Sequence, residues 1–153
     1  MRLLTRAALL ATMIVALAAC DLRCGSPSSG EGQHLVFTGP AAGTLTTANV
    51  DCHLFNNQTQ FNALITGKLG DKDLTLNIQV HSGYKGSGTY KVGSILDGSG
   101  EVRLKVGDWV GSSATGAGTL IINSDGKSGV VDANLGDFEH VTGSFRCKEV
   151  VTG

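Results

Sequence analysis

Few side chains in this 153-residue sequence stand in a pattern that does chemistry. Gly126-Lys127-Ser128 has the ending of a phosphate-cradling loop, but Ile121 stands where its first glycine belongs, so a hairpin tip is expected there instead. No Gly-x-Ser-x-Gly elbow and no Gly-x-Gly-x-x-Gly fingerprint occurs. His34, His53, His81 and His140 lack paired ligand spacing, and Cys52 and His53, adjacent in a strand, point to opposite faces. Asp71 and Asp73 flank Lys72 without the further oxygen ligands and closing Glu of a calcium loop. Asp51, Asp97, Asp108, Asp132, Asp137 and Glu139 are scattered, and the sequence brings no two of them together as an acid–base pair. The expectation is a protein that is not an enzyme, with no cofactor and no metal site. The more suggestive stretch is residues 81–90, where Tyr84 and Tyr90 flank a Gly/Ser loop that includes Lys85. These three form a candidate binding loop, because loops on a rigid sheet are where recognition usually resides and tyrosine has an amphipathic ring to present. The competing expectation is a hairpin whose tyrosines pack against the sheet.

The elements that position these residues read as strands. Leu74, Leu76, Ile78 and Val80 alternate with Thr75, Asn77 and Gln79, which gives one dry face and one wet face. Phe61, Ala63 and Ile65 repeat the pattern, as do Val102, Leu104 and Val106, and then Val141, Gly143, Phe145 and Cys147. Candidate strands fall at 35–38, 44–52, 60–68, 74–80, 88–92, 102–110, 118–123, 130–135 and 140–147; some merge, leaving about eight. Gly70-Asp71, Gly86-Ser87-Gly88, Asp97-Gly98 and Asp125-Gly126 separate them, and Asp-Gly suits the positive φ angles of short hairpins. No segment after the leader has ten residues of helical periodicity. The fold expected is all-β: a single antiparallel β-sandwich or small up-and-down β-barrel.

Ahead of this domain, residues 1–6 carry Arg2 and Arg6, and residues 7–19 are apolar apart from Thr12. A helix of that length spans only about 20 Å, so it reads as a secretion segment rather than a permanent span. It closes on Leu17-Ala18-Ala19-Cys20, which resembles the bacterial lipobox. The resemblance implies thioether acylation of Cys20 and cleavage before it. Asp21, directly after that cysteine, resembles an inner-membrane retention signal of some diderm bacteria. The domains expected are a signal peptide at 1–19, a lipidated flexible tether of small and polar residues at 20–33, and the β domain at 34–153. The location that follows is the cell envelope, anchored to a membrane and facing its extracytoplasmic side.

With Cys20 acylated, three cysteines remain. Cys52 ends an early strand and Cys147 the last, so a bond between them would tie the two ends of the sheet; Cys24–Cys52 and Cys24–Cys147 stay open as alternatives. The lipobox, the small-residue tether, Thr46-Thr-Ala-Asn-Val-Asp-Cys52 and Val141-Thr-Gly-Ser-Phe-Arg-Cys147 together resemble small β-rich envelope lipoproteins of the mycobacterial 19 kDa lipoprotein-antigen type. The chain departs from that layout after Cys147, where Lys148-Glu-Val-Val-Thr-Gly153 follows. The resemblance implies a surface lipoprotein without assigned chemistry.

The formal net charge is −1 and becomes more negative once Arg2 and Arg6 leave with the leader. With cations interspersed among acids, and Arg103 and Lys105 reading as a solvated strand face, no nucleic-acid partner is expected. The function expected is a membrane-anchored, non-catalytic interaction module for a protein, glycan or lipid. One alternative is a carrier of an apolar ligand in a cavity lined by Leu64, Leu76, Ile78 and Leu104. Another is an inhibitor of a cell-wall hydrolase with the 82–90 loop as its plug.

Overall fold

The computed structural model describes residues 32–93, 96–113, 117–136 and 139–153. Among these described residues twelve strands run in chain order: β1 (His34–Thr38), β2 (Gly43–Leu45), β3 (Ala48–Phe55), β4 (Gln60–Leu69), β5 (Lys72–Val80) and β6 (Gly88–Val92) come first. They are followed by β7 (Gly100–Val106), β8 (Trp109–Ser112), β9 (Gly118–Ile122), β10 (Ser128–Asn134), β11 (His140–Arg146) and β12 (Val150–Thr152). No α-helix occurs among the described residues.

The alternation read from the sequence is the alternation that forms the core. On β5, Leu74, Leu76, Ile78 and Val80 are buried, while Thr75 is exposed and Asn77 and Gln79 are half-buried. Phe61, Ala63 and Ile65 of β4 and Val102, Leu104 and Val106 of β7 join them in a single cluster with Phe37, Leu120, Val131 and Phe145. Period-two placement puts these side chains on one face, and curling the sheet turns that face inward on itself.

The strands make one curled, mixed sheet, a half-barrel, in the order β12-β3-β4-β5-β7-β6-β9-β10-β11-β1-β2, with β8 branching from β7. This departs from the sequence expectation in two ways. Two pairings are parallel, β12 with β3 and β6 with β7, so the sheet is neither purely antiparallel nor up-and-down. Among the described residues twelve strands replace about eight because none of the nine candidate runs merged, two of them split and one strand was missed. The 102–110 run breaks at Gly107-Asp108, a two-residue turn with Gly107 at φ +57° that folds β8 back onto β7. Gly70 at φ +64° turns β4 into β5 in the same way. Asp97-Gly98, by contrast, lies in the connection between the parallel strands β6 and β7 rather than at a hairpin tip.

The 44–52 run breaks at Thr46-Thr47 for a different reason. Its first half, β2, pairs with β1, and its second half, β3, pairs with β4. The chain thus passes from one end of the sheet order toward the other, and Leu45, 1% exposed, lies against Gly67 of β4. Beyond β11 the chain makes a matching passage. Cys147 donates its N–H to Lys127 O (2.7 Å), Lys148 donates to Val50 O (3.0 Å), and β12 then pairs with β3. Between these two passages runs the seam of the curled sheet.

Candidate functional site

The tyrosines of the 81–90 segment face inward, the packed arrangement that was the competing expectation for this stretch. Tyr84 and Tyr90 are 9% and 7% exposed, and Tyr84 stacks between Phe61 (5.4 Å) and Tyr90 (5.7 Å). Tyr90 Oη donates to Gly86 O (2.7 Å) and accepts from the Lys85 N–H (3.1 Å), while the Tyr84 N–H donates to Thr59 O (2.9 Å). Burial, and secondarily the Tyr90 phenol, push the Tyr84 hydroxyl above its ordinary pKa. Stacking removes apolar ring area from water, and the Gly86 carbonyl supplies the hydroxyl partner that a buried Tyr90 requires. Of the three candidate residues, Lys85 alone stays exposed.

The histidines occupy separate positions. His53 stacks on Phe55 (5.7 Å), and His140 Nε2 lies 2.8 Å from Asp132 Oδ1. Cys52 is buried while His53, its neighbour, is half-buried on the opposite face. The Gly126-Lys127-Ser128 run is a hairpin tip, in which Asp125 Oδ1 accepts from the Lys127 N–H (2.9 Å) and the Ser128 N–H (3.0 Å). Trp109 packs partly against the core and covers Gly111.

A polar cluster that the sequence reading missed sits on the outer face of β5, β7 and β8. Glu101 is only 2% exposed, although its place in the alternation puts it beside the solvated Arg103 and Lys105. Arg103 Nε donates to Glu101 Oε1 (2.7 Å), Ser112 Oγ donates to the same atom (3.3 Å), and His81 Nε2 lies 3.3 Å from Glu101 Oε2. Among the described residues neither His81 Nε2 nor Glu101 Oε2 has a hydrogen-bond partner. Burial pushes the Glu101 carboxyl up, but the Arg103 hydrogen bond and charge, the His81 charge and the Ser112 hydroxyl together hold it below the usual range. A carboxylate fixed in this way could orient an imidazole as a base. The hydroxyls nearby are engaged elsewhere: Ser82 Oγ accepts from Gln60 Nε2 (3.2 Å) and Ser113 Oγ from the Val102 N–H (2.8 Å). Among the described residues no serine hydroxyl is hydrogen-bonded to His81; through Arg103 and Ser112 the Glu101 carboxylate ties β7 to β8. The only sequence signal was Glu itself, because burial on a wet face leaves no periodicity.

Glu139, a candidate acid, is also buried at 2% exposure. Its Oε2 accepts the Ala41 N–H (3.1 Å) and its Oε1 has no partner, so burial raises its pKa. Ala41 in turn lines a surface groove of about 360 Å³ between the 40–44 loop and the Gly70-Asp71 turn.

The seam carries the second constellation. Cys52 and Cys147 form a disulfide (S–S 2.03 Å, Cα–Cα 5.6 Å) that joins β3 to the end of β11, the pairing expected from the positions of the two cysteines. Beside it runs an open groove of about 520 Å³, walled by Ala48–Val50 on one side and by Lys127 and residues 146–148 on the other, with Gly32 and Gln33 at its rim. Gln33 Nε2 donates to Arg146 O (3.0 Å), and Arg146 Nη2 pairs with Asp125 Oδ2 (3.2 Å). Lys127 and Lys148 are exposed. Cys20, Cys24 and Asp137 lie outside the described residues. In comparisons with known proteins, no family model and no curated protein matches this chain.

Proposed function

We propose that this chain is an exported lipoprotein, acylated at Cys20 and held at the extracytoplasmic side of a membrane in the cell envelope, whose β domain is a non-catalytic binding module. The observation that carries the reading is the apolar run closing on Leu17-Ala18-Ala19-Cys20, followed by a small-residue stretch before the first strand. A filled interior supports recognition at the surface. Leu76, Ile78 and Leu104 are at most 1% exposed, whereas a ligand-sized lumen would leave their inward surfaces open to water. Leu64 sits on the opposite face of β4 and is half-buried, so it does not line that interior. Both points weigh against a carrier of an apolar ligand. The inward stacking of Tyr84 and Tyr90 weighs against a hydrolase inhibitor with these rings as its plug. Within the fold class, we read the curled sheet as a barrel rather than a sandwich. Both chain passages and the disulfide cross one seam, which supports this, and the buried residues form one cluster.

Mass spectrometry of the protein isolated gently from its host envelope tests the proposal. The expected result is a mass with diacylglycerol on Cys20 and no bound small molecule. An unmodified Cys20 overturns the anchor, and a stoichiometric apolar ligand replaces the binding module with a carrier.

A further inference from the structure

We propose that the seam groove docks the β domain on the membrane by binding the phosphates of anionic lipid headgroups. The inference rests on the reading of Cys20 as the acylated residue and assigns that anchored domain an orientation. Its first ground is the lining of the groove, which contains three cations, Lys127, Arg146 and Lys148, and no carboxylate. Arg146 is held at the rim by Asp125, which leaves the two exposed lysines without an ion pair among the described residues. Their convergence is tertiary. Lys127 comes from the β9–β10 turn and Lys148 from the passage beyond β11, and the Cys147 N–H bond to Lys127 O brings the two segments together.

The second ground is where the tether arrives. Gly32 and Gln33 form part of the groove wall, and Gln33 is tied to Arg146 O. The eleven residues 21–31 separate an acylated Cys20 from Gly32. That length of chain cannot reach beyond about 40 Å even at full extension. The groove is therefore the part of the domain held nearest the headgroups, and the tether keeps its local concentration at the surface high. Each lysine close to an anionic surface contributes roughly fivefold to the ratio of docked to free domain.

The acylated protein itself serves for the test. It is reconstituted into vesicles of phosphatidylcholine alone or with roughly one part in three phosphatidylglycerol, then labelled briefly with a water-soluble amine reagent. Lys127 and Lys148 should be labelled severalfold more slowly in the anionic vesicles, with Lys68, Lys91 and Lys105 unchanged. In about 1 M salt, where screening shortens to about 3 Å, the protection should vanish. Equal labelling in the two vesicles, or equal protection of all five lysines, overturns the docking. Protection of the same pair by soluble glycerol phosphate without vesicles also overturns it and assigns the groove to a small anion. A chain that carries no acyl group refutes the anchor reading, whereas an acylated chain with unprotected lysines refutes this inference alone.

Discussion

Breaking the seam disulfide is the perturbation whose size follows most directly from the structure. Cys52 and Cys147 are 95 residues apart in the chain, and both are buried at 1% and 4% exposure. Closing a loop of that length in the unfolded chain removes conformational entropy worth about 4.7 kcal/mol on the chain-entropy account. That is a large share of the roughly 5–15 kcal/mol that holds a typical domain folded. The folded state should nevertheless keep its geometry, because the Lys148 N–H bond to Val50 O and the β12–β3 pairing span the same seam without the sulfurs. The loss therefore falls mainly on the unfolded side. Urea titrations of the oxidised protein, the reduced protein and C52A/C147A provide the assay. With a slope of about 2 kcal/mol/M, the reduced form should unfold at a midpoint lower by about 2 M, and its slope should increase because the freed chain exposes more surface. The double alanine variant should lose somewhat more, since it also removes two buried side chains. A midpoint change worth less than about 1 kcal/mol would refute the entropic argument. Loss of amide protection at Lys148 and Val150 without denaturant would show instead that the bond holds the native seam together.

Three further outcomes follow from single residues. Because the Glu101 carboxyl is held below its unfolded pKa, it contributes stability above an unfolded value near 4.3 that is lost as pH falls through the folded value. E101Q should cost roughly 1–3 kcal/mol at neutral pH and flatten that acid limb; an unchanged pH profile of urea midpoints would show that the Arg103 contact adds nothing. Glu139 has the opposite sign: its raised folded pKa means that stability is fully present below the unfolded pKa and declines as pH rises through the folded one. E139Q keeps an acceptor for the Ala41 N–H, so it should melt higher than wild type at pH 8 and converge with it in acid; thermal melts at the two pH values decide. At Gly143, φ is +136° and a Cβ would stand 1.9 Å from His34 O, so G143A should disrupt the β1–β11 pairing at a cost above roughly 4 kcal/mol. G126A, at φ +63° with open space around it, should cost only about 1–2 kcal/mol, and equal losses by circular-dichroism melts would contradict the assigned contact.

The candidate site was legible only in part. Tyr84 and Tyr90 were found, but whether an amphipathic ring faces solvent or core depends on what lies opposite it, here Phe61. The burial of Glu101 had no local mark, since its position alternates with Arg103 and Lys105 and only β8 and His81 make it an interior group. The split at Thr46-Thr47 likewise lacks Gly or Pro, because the backbone does not turn back there and instead exchanges one partner strand for another.

By itself the sequence determined the strand class and the side chains that face the core along β4, β5, β7 and β11; it offered Cys52 with Cys147 as one of three pairings, the one the structure forms, and it carries the motif on which the proposed address at Cys20 rests. These are local properties, set by period-two sterics and a short motif, or they concern the few cysteines available. Tertiary structure alone decided the strand order, the two parallel pairings, the seam and the placing of Lys127 and Lys148 in one groove beside it. Each of these depends on which distant backbone groups satisfy one another, and every strand offers the same N–H and C=O ladder whichever neighbour it takes.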